Sequence, residues 1–309
     1  DRREYPLNAK YFNIDVRNQA QLNNVFKGLD IVIHAAAALP LWKEKDIFDI
    51  NINGTKNVLE AAKNNSIKKL VYISSTAVYG IPKEHPLYED GPLVGVGPYG
   101  ESKIKAEGIC QSYRDKGLAI AIVRPKSFIG TGRLGVFQIL YDWVESGKKI
   151  PIIGAGWNRY QLLDVEDLVE AIYLLITVSG QETSGCFNLG AEEFRTVKED
   201  VGALCDYAGT GARVMATPAW IVKPLLAMFE KLNLSPLYKW IYATADKDSF
   251  VSNDKIKFTL GWLPRYSNKD ALIKSYKWYL EHKKELSGAG ITHRVAWKQG
   301  ILALAKIFL

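Results

Sequence analysis

Short continuous apolar runs at 10–14, 30–34, 70–74 and 119–124 punctuate the first part of the chain. They are rich in Val, Ile, Tyr and Phe and do not alternate between polar and apolar positions, which is the pattern of strands buried on both faces of a parallel sheet. Between them, apolar residues recur at helical spacing over 19–27, 48–64 and 99–116. Strand and helix in repeated alternation predict βαβ crossovers and a doubly wound α/β sheet.

Beyond about 130 the spacing loosens. Helical patterns at 136–146, 165–178 and 197–208 alternate with short strand candidates at 149–153 and 186–189. An apolar, helix-prone stretch follows at 218–245, then a charged amphipathic helix at 269–284. With no internal repeat and no low-complexity linker, the pattern predicts a sheet domain over 1–130, a smaller lobe over 131–285 interleaved with the last strands, and a basic amphipathic tail over 286–309.

Composition narrows the function classes. The chain has 309 residues, 48% hydrophobic and 24% charged, and a net charge of +7, which suits an anionic small ligand or a membrane surface equally well. Seven charges spread over a whole surface do not make the concentrated basic stripe that nucleic acid requires. Three scattered cysteines and four histidines without ligand spacing argue against a disulfide framework or a metal site and fit a reducing, cytoplasmic compartment. No uncharged apolar run reaches the length of a membrane span. The opening Asp1-Arg2-Arg3-Glu4-Tyr5-Pro6 has neither a methionine nor a signal peptide, and reads as a chain begun in mid-connection.

The sharpest chemical signal is Tyr99-Gly-Glu-Ser-Lys103, because residues four apart on a helix share a face. An ammonium beside a phenol favours the phenolate and makes it usable as a proton acceptor near neutrality. The same spacing occurs at Tyr79/Lys83, where Gly80 and Pro82 oppose a helix, and at Tyr279/Lys283 on the late charged helix. Tyr99 is distinguished by the apolar run that ends in Ser74-Ser75-Thr76, hydroxyl residues at the strand edge where open α/β sheets bind ligands.

Asp15-Val16, Ile33-His-Ala-Ala-Ala37, Asn51-Ile-Asn-Gly-Thr55, Ser74-Ser-Thr-Ala-Val-Tyr-Gly80, Tyr99-x-x-x-Lys103 and Arg124-Pro125 resemble, in order and spacing, the extended short-chain dehydrogenase/reductases, which include the sugar-nucleotide epimerases and dehydratases. The run from Asp254 through Leu260-Gly-Trp262-Leu-Pro264 also resembles that family's C-terminal signature, so the likeness covers roughly 8–284. It implies a Rossmann fold, NAD as cofactor with NADP left open, a homodimer, and hydride chemistry at a carbinol carbon of a sugar nucleotide. It further implies Tyr99 as general acid or base, Lys103 lowering its pKa and holding the nicotinamide ribose, and Ser75 fixing the reacting oxygen. Asp15 and Val16 would contact the adenine; Ala35 and Ala36 would pass beneath the cofactor, braced by Asn51. Ser74, Pro125 and Ser127 would complete the cofactor site.

Departures from the family pattern are as informative. Its Gly-x-x-Gly-x-x-Gly phosphate loop does not occur in this sequence. The expectation is a chain that lacks the first strand, first helix and second strand, on the order of forty residues for such a unit. Where sugar-nucleotide members place an asparagine after the Arg-Pro strand, this chain has Lys126-Ser127. Thr76, Lys126, Arg133 and Arg159 are the candidate substrate contacts, the cations among them suited to a phosphate. Apolar bulk at 218–229 and at Trp240-Ile241 reads first as lobe core. It also keeps open a hydrophobic alcohol as substrate, as in the hydroxysteroid dehydrogenase branch, and a non-catalytic scaffold is a third reading. The tail, with Arg294, Lys298 and Lys306 among apolar residues, offers peripheral membrane contact as a lesser expectation.

Overall fold

The computed structural model describes residues 8–133, 135–232, 234–235, 237, 239–284 and 300–309. Its strands are β1 (Ile31–His34), β2 (Lys69–Ile73), β3 (Ile120–Pro125), β4 (Ser127–Ile129), β5 (Lys149–Ile153), β6 (Leu162–Asp164), β7 (Cys186–Leu189) and β8 (Arg213–Thr217). The α-helices begin with α1 (Gln19–Val25), α2 (Glu44–Phe48), α3 (Thr55–Asn64), α4 (Gly97–Arg114), α5 (Phe137–Glu145) and α6 (Val165–Thr177). They continue with α7 (Val197–Ala208), α8 (Ala219–Lys231), α9 (Lys239–Thr244), α10 (Asp254–Leu260), α11 (Asn268–His282) and α12 (Ile301–Phe308).

β1, β2, β3 and β7 pair in parallel, in that order, and alternate residues of the central strands feed two different cores. Leu70, Tyr72, Ile120 and Ile122 pack with Leu22 of α1, Val58 and Leu59 of α3 and Ala106 of α4. Val71, Ala121 and Val123 face the other way, onto Leu168, Ala171 and Leu175 of α6 and onto Ile256 and Trp262 around α10. Burial on both faces is why the runs of β2 and β3 read as continuously apolar; β1, expected to share it, is buried on one face only, with Ile31 and Ile33 38% and 47% exposed. The sheet is doubly wound. The lobe is built from two parallel pairs, β4 with β6 and β5 with β8, over a core that includes Tyr141, Trp143, Leu204 and Tyr276. Because β7 returns to the main sheet between α6 and α7, sheet and lobe are threaded through each other.

Local sequence sets the lobe's boundaries. α7 opens on a capping box in which the Thr196 side chain accepts the Glu199 N–H while Glu199 reaches back to the Thr196 N–H, and it closes on Gly209 at φ 62°. Among the described residues, no helix is long and apolar enough to cross a membrane, and no group of His, Cys, Asp or Glu could hold a metal ion.

Four expectations change. The run at 10–14 is not a strand: among the described residues no strand pairs with it, and Tyr11 and Phe12 are 47% and 57% exposed. The helix expected at 48–64 is broken by a π-helical turn, Asp49–Gly54, between α2 and α3. At Gly54 the helix meets Val16 so closely that a Cβ there would stand 2.6 Å from the valine Cγ2. The stretch at 218–245 splits into α8 and α9, and α8 is not core, since Leu226 is its buried residue while Trp220 is 79% exposed. The Tyr279/Lys283 pair, expected to be exposed or half-buried on its charged helix, is divided: Tyr279 is buried in the lobe core, whereas Lys283 pairs with Glu145. Of the tail, α12 is described; Arg294 and Lys298, like Arg2 and Arg3 at the other end, lie outside the described residues.

Candidate active site

Ser75 and Tyr99 meet because two segments approach closely at Gly100. β2 carries Ser74 and Ser75 to the carboxyl edge of the sheet, where the chain turns through a 3-10 turn, Thr76–Tyr79, and the Ser75 hydroxyl accepts the Ala77 N–H at 3.1 Å. α4 crosses this turn; a Cβ on Gly100 would stand 2.9 Å from the Ala77 carbonyl oxygen, so glycine is what lets the helix descend there. Ser75, Thr76, Tyr99 and Lys103 consequently line one cavity of about 470 Å³.

Burial raises the Tyr99 phenol above its ordinary pKa, while the Arg133 charge and a hydrogen bond with Ser75 pull it back. Lys103, to which the family resemblance gives this role, makes its hydrogen bonds at the strand end instead. Lys103 Nζ donates to the Ile73 carbonyl at 2.8 Å and to the Tyr72 hydroxyl at 3.3 Å, and it stands 5.9 Å from the Tyr99 ring centre. Two of its three protons are thus engaged at the strand end. Burial brings Lys103 itself down to about 8, against an opposing pull from Glu107.

Behind these groups the polar network is closed. Asn51 accepts the Ala38 N–H at 2.8 Å and donates to Ser102 Oγ at 2.9 Å, and Ser102 donates to the Tyr99 carbonyl at 2.8 Å. One side chain from the π-helical turn thus ties the loop after β1 to the helix that carries Tyr99, a placement typical of such turns. Thr55 Oγ1 donates to the Asn51 carbonyl at 2.7 Å, so it must accept from His34 Nε2 at 3.0 Å; burial then holds His34 neutral, with its pKa pushed down to about 3. Under the strand edge, Arg124 grips both oxygens of Glu107, the shortest contact being 2.6 Å, with both side chains 5% exposed. Glu107 also accepts the Ser74 hydroxyl at 2.5 Å. Ser74 lines the cavity, but its proton is committed to the carboxylate beneath.

The lobe side of the cavity is different in kind. Lys126, 2% exposed, donates to Ser249 Oγ at 2.6 Å and lies 4.8 Å over the Tyr160 ring. Ser127 and Tyr160 share a hydrogen bond at 3.2 Å, and burial raises the Tyr160 phenol. The Arg133 guanidinium stacks 3.6 Å over Phe128 and donates to its carbonyl. Opposite, Asp200 accepts from Asn268 at 2.8 Å, its pKa raised by burial, among Val197, Val201 and Leu272.

The structure therefore brings Ser74, Ser75, Thr76, Tyr99, Lys103, Pro125, Lys126, Ser127 and Arg133 to one cavity, with Ala35 at its rim. Asn51 stands behind it. Ala36 is exposed beside it, and its place on the wall is taken by Ala37 and Leu39. Asp15 is also outside; its carboxylate is held by Arg17 at 2.6 Å, and Val16 packs on the sheet domain's core and against Gly54. Arg159 is not in the cavity either: its guanidinium lies between Phe194 and Phe250, 4.6 and 4.7 Å from their centres, a cation–π slot that holds it on the outer face. Tyr160, Asp200 and Asn268 were missed. Glu107 was within reach, since it stands one helical turn beyond Lys103 on the face that carries Tyr99.

Comparison with known proteins agrees with this architecture. Residues 1–190 match the model of the NAD dependent epimerase/dehydratase family. The chain is 35% identical over 300 residues to an uncharacterised Sinorhizobium fredii protein, y4nG, covering 96% of this chain and 75% of that one. It is 27% identical over 305 residues to a UDP-glucose 4-epimerase of Lactobacillus helveticus, covering 89% and 85%. Among solved structures, the UDP-glucose 4-epimerase of Thermotoga maritima superposes with a TM-score of 0.75 over 90% of this chain and 87% of that one, at 20% identity. With the family model spanning more than half of the residues, and a relative above 30% identity along nearly the whole chain, the protein belongs to the NAD dependent epimerase/dehydratase family.

Proposed function

We propose that the protein is an oxidoreductase that epimerises or dehydrates a sugar nucleotide at a carbinol carbon, with Tyr99 as the acid/base. The observation that carries this reading is the convergence of Ser75, Tyr99 and Lys103 on one cavity whose other wall is cationic.

The residues on the sheet side fit a nicotinamide ribose. Small side chains at Ala35 and Ala37 permit close approach of a flat ligand, and Lys103 uses two of its three protons on Ile73 and Tyr72, leaving the third for a ribose hydroxyl. The glycine loop that would cradle a diphosphate does not occur among the 309 residues, so no residue is assigned to that part. When bound, NAD supplies the hydride acceptor and a positively charged ring that favours the phenolate. Tyr99 Oη takes the proton of the substrate hydroxyl as the carbon becomes a carbonyl and gives it back on reduction. Ser75 donates a hydrogen bond to the same oxygen. Arg133 offsets the negative charge on the phenolate.

Tyr99→Phe removes the proton carrier and keeps the ring. With NAD present, conversion of UDP-glucose to UDP-galactose, followed by chromatography, is expected to fall by roughly 10²–10⁴-fold without loss of fold. A rate near that of the wild type overturns the assignment. A second reading, oxidation of a hydrophobic alcohol, is favoured by the apolar wall formed by Leu140, Val197, Val201, Ile241 and Leu272. It is the correct one if NADH accumulates in solution with an apolar secondary alcohol and nucleotide sugars are inert.

A further inference from the structure

A buried ammonium normally has a carboxylate beside it, because an uncompensated charge in a low-dielectric site is costly. Lys126 has none: among the described residues it forms no ion pair, and its hydrogen-bond acceptor is the neutral hydroxyl of Ser249. Its neighbours do not compensate. Tyr160 presents its ring face and keeps its own proton, because burial raises its pKa. His85 is held neutral by its burial, the Lys126 charge adding to the effect, and its Nε2 is buried with no partner. The Asp248 carboxylate acts on His85 and its Oδ1 accepts the Arg159 N–H, and no ion pair joins it to Lys126 among the described residues. Burial alone brings Lys126 down to about 7. Yet this side chain lines the same cavity as Ser75 and Tyr99, in the strand connection next to Ser127.

Resting on the reading of this cavity as a nucleotide-sugar site, we propose that an oxyanion of the substrate docks on Lys126 and that docking is coupled to protonation of its amine. The ammonium has three protons, Ser249 takes one, and an oxyanion is the partner that satisfies both the charge and the remaining donors. Arg133, already stacked on Phe128, flanks the same wall. Two oxyanions share this chemistry, a phosphate of the nucleotide diphosphate and a carboxylate on the sugar ring.

The test is calorimetric titration of the NAD-saturated full chain at pH 8 with UDP-glucose and with UDP-glucuronate, repeated in buffers of different ionisation enthalpy. The wild type is expected to take up nearly one proton per site on binding. Lys126→Met, an apolar substitute of similar length, is expected to take up none and to bind about ten- to a hundredfold more weakly. Loss with both ligands places a phosphate on Lys126; loss with UDP-glucuronate alone places the carboxylate there. Equal affinity of wild type and variant for both ligands, or binding by the wild type without proton uptake, overturns the proposal while the nucleotide-sugar reading stands. If the wild type binds neither ligand, that reading fails and the proposal with it.

Discussion

The two walls of the cavity are built on opposite principles. On the sheet side, the charges behind the site are paired: Glu107 holds Arg124 and Ser74, Asn51 spans two segments, and His34 and Thr55 close on each other. On the lobe side, Lys126 is buried against a hydroxyl and a ring, and among the described residues His85 Nε2 has no partner. A satisfied network holds its members in one arrangement, which suits a proton-transfer group that must stay within tenths of an ångström of its target. An unsatisfied one is a standing cost that a ligand of the right charge relieves. On the proposed function, the walls divide the labour: one fixes geometry, the other meets the charge of the ligand.

The largest effect should come from breaking the satisfied wall. Arg124→Met leaves the Glu107 carboxylate buried without its cation and deprives the Tyr79 hydroxyl of the guanidinium at 2.8 Å. Removing one partner of such a pair costs about 3–5 kcal/mol, visible as a lower denaturant midpoint. The double variant with Glu107→Met is expected to recover part of that loss, since no lone charge then remains. If Arg124→Met is as stable as the wild type, the sheet wall is not the rigid half.

Breaking the unsatisfied wall should do the reverse. Lys126 titrates near 7 in the fold and at its ordinary 10.5 when unfolded, so between those values the unfolded chain binds more protons and stability rises with pH. Below pH 7 the full cost of the buried charge is present; near 10.5 it has vanished. Without ligand, Lys126→Met is therefore expected to stabilise the fold at pH 7, by about 1–4 kcal/mol, with the gain shrinking as pH approaches 10. Thermal melts of both proteins across that range decide it. A variant less stable than the wild type at pH 7 would mean that the ammonium is compensated after all.

This division also explains what the sequence could convey. Tyr99, Lys103 and Glu107 are spaced on one helix, and Ser74 and Ser75 follow directly on an apolar run, so the sheet wall is written in local spacing. Lys126, Tyr160 and Ser249 come from three loops more than a hundred residues apart at the extremes, and what joins the last two is a backbone bridge between Tyr160 and Ser249, a long-range pairing that no local spacing announces. Arg159 illustrates the limit: its residue type suited a phosphate, but Phe194 and Phe250, distant in sequence, claim it. The run at 10–14 failed as a strand because pairing requires a neighbour, and apolar content does not supply one.

The smallest expected effect probes the seam between the walls. Arg133 is the group whose charge favours the Tyr99 phenolate, whereas Lys103 is turned toward Ile73. Where Tyr99 acts as base, turnover rises as pH climbs through its pKa, so a variant that loses a favourable charge must shift that rise to higher pH. With NAD saturating, Arg133→Met is expected to move it upward by up to about one unit, with kcat at the plateau largely kept. Lys103→Met should lower the affinity for NAD and move the same limb less. The reverse ranking, with Lys103→Met giving the larger displacement, would show that the ammonium swings toward the phenol when cofactor binds and that the two walls meet at Lys103 instead of at Arg133.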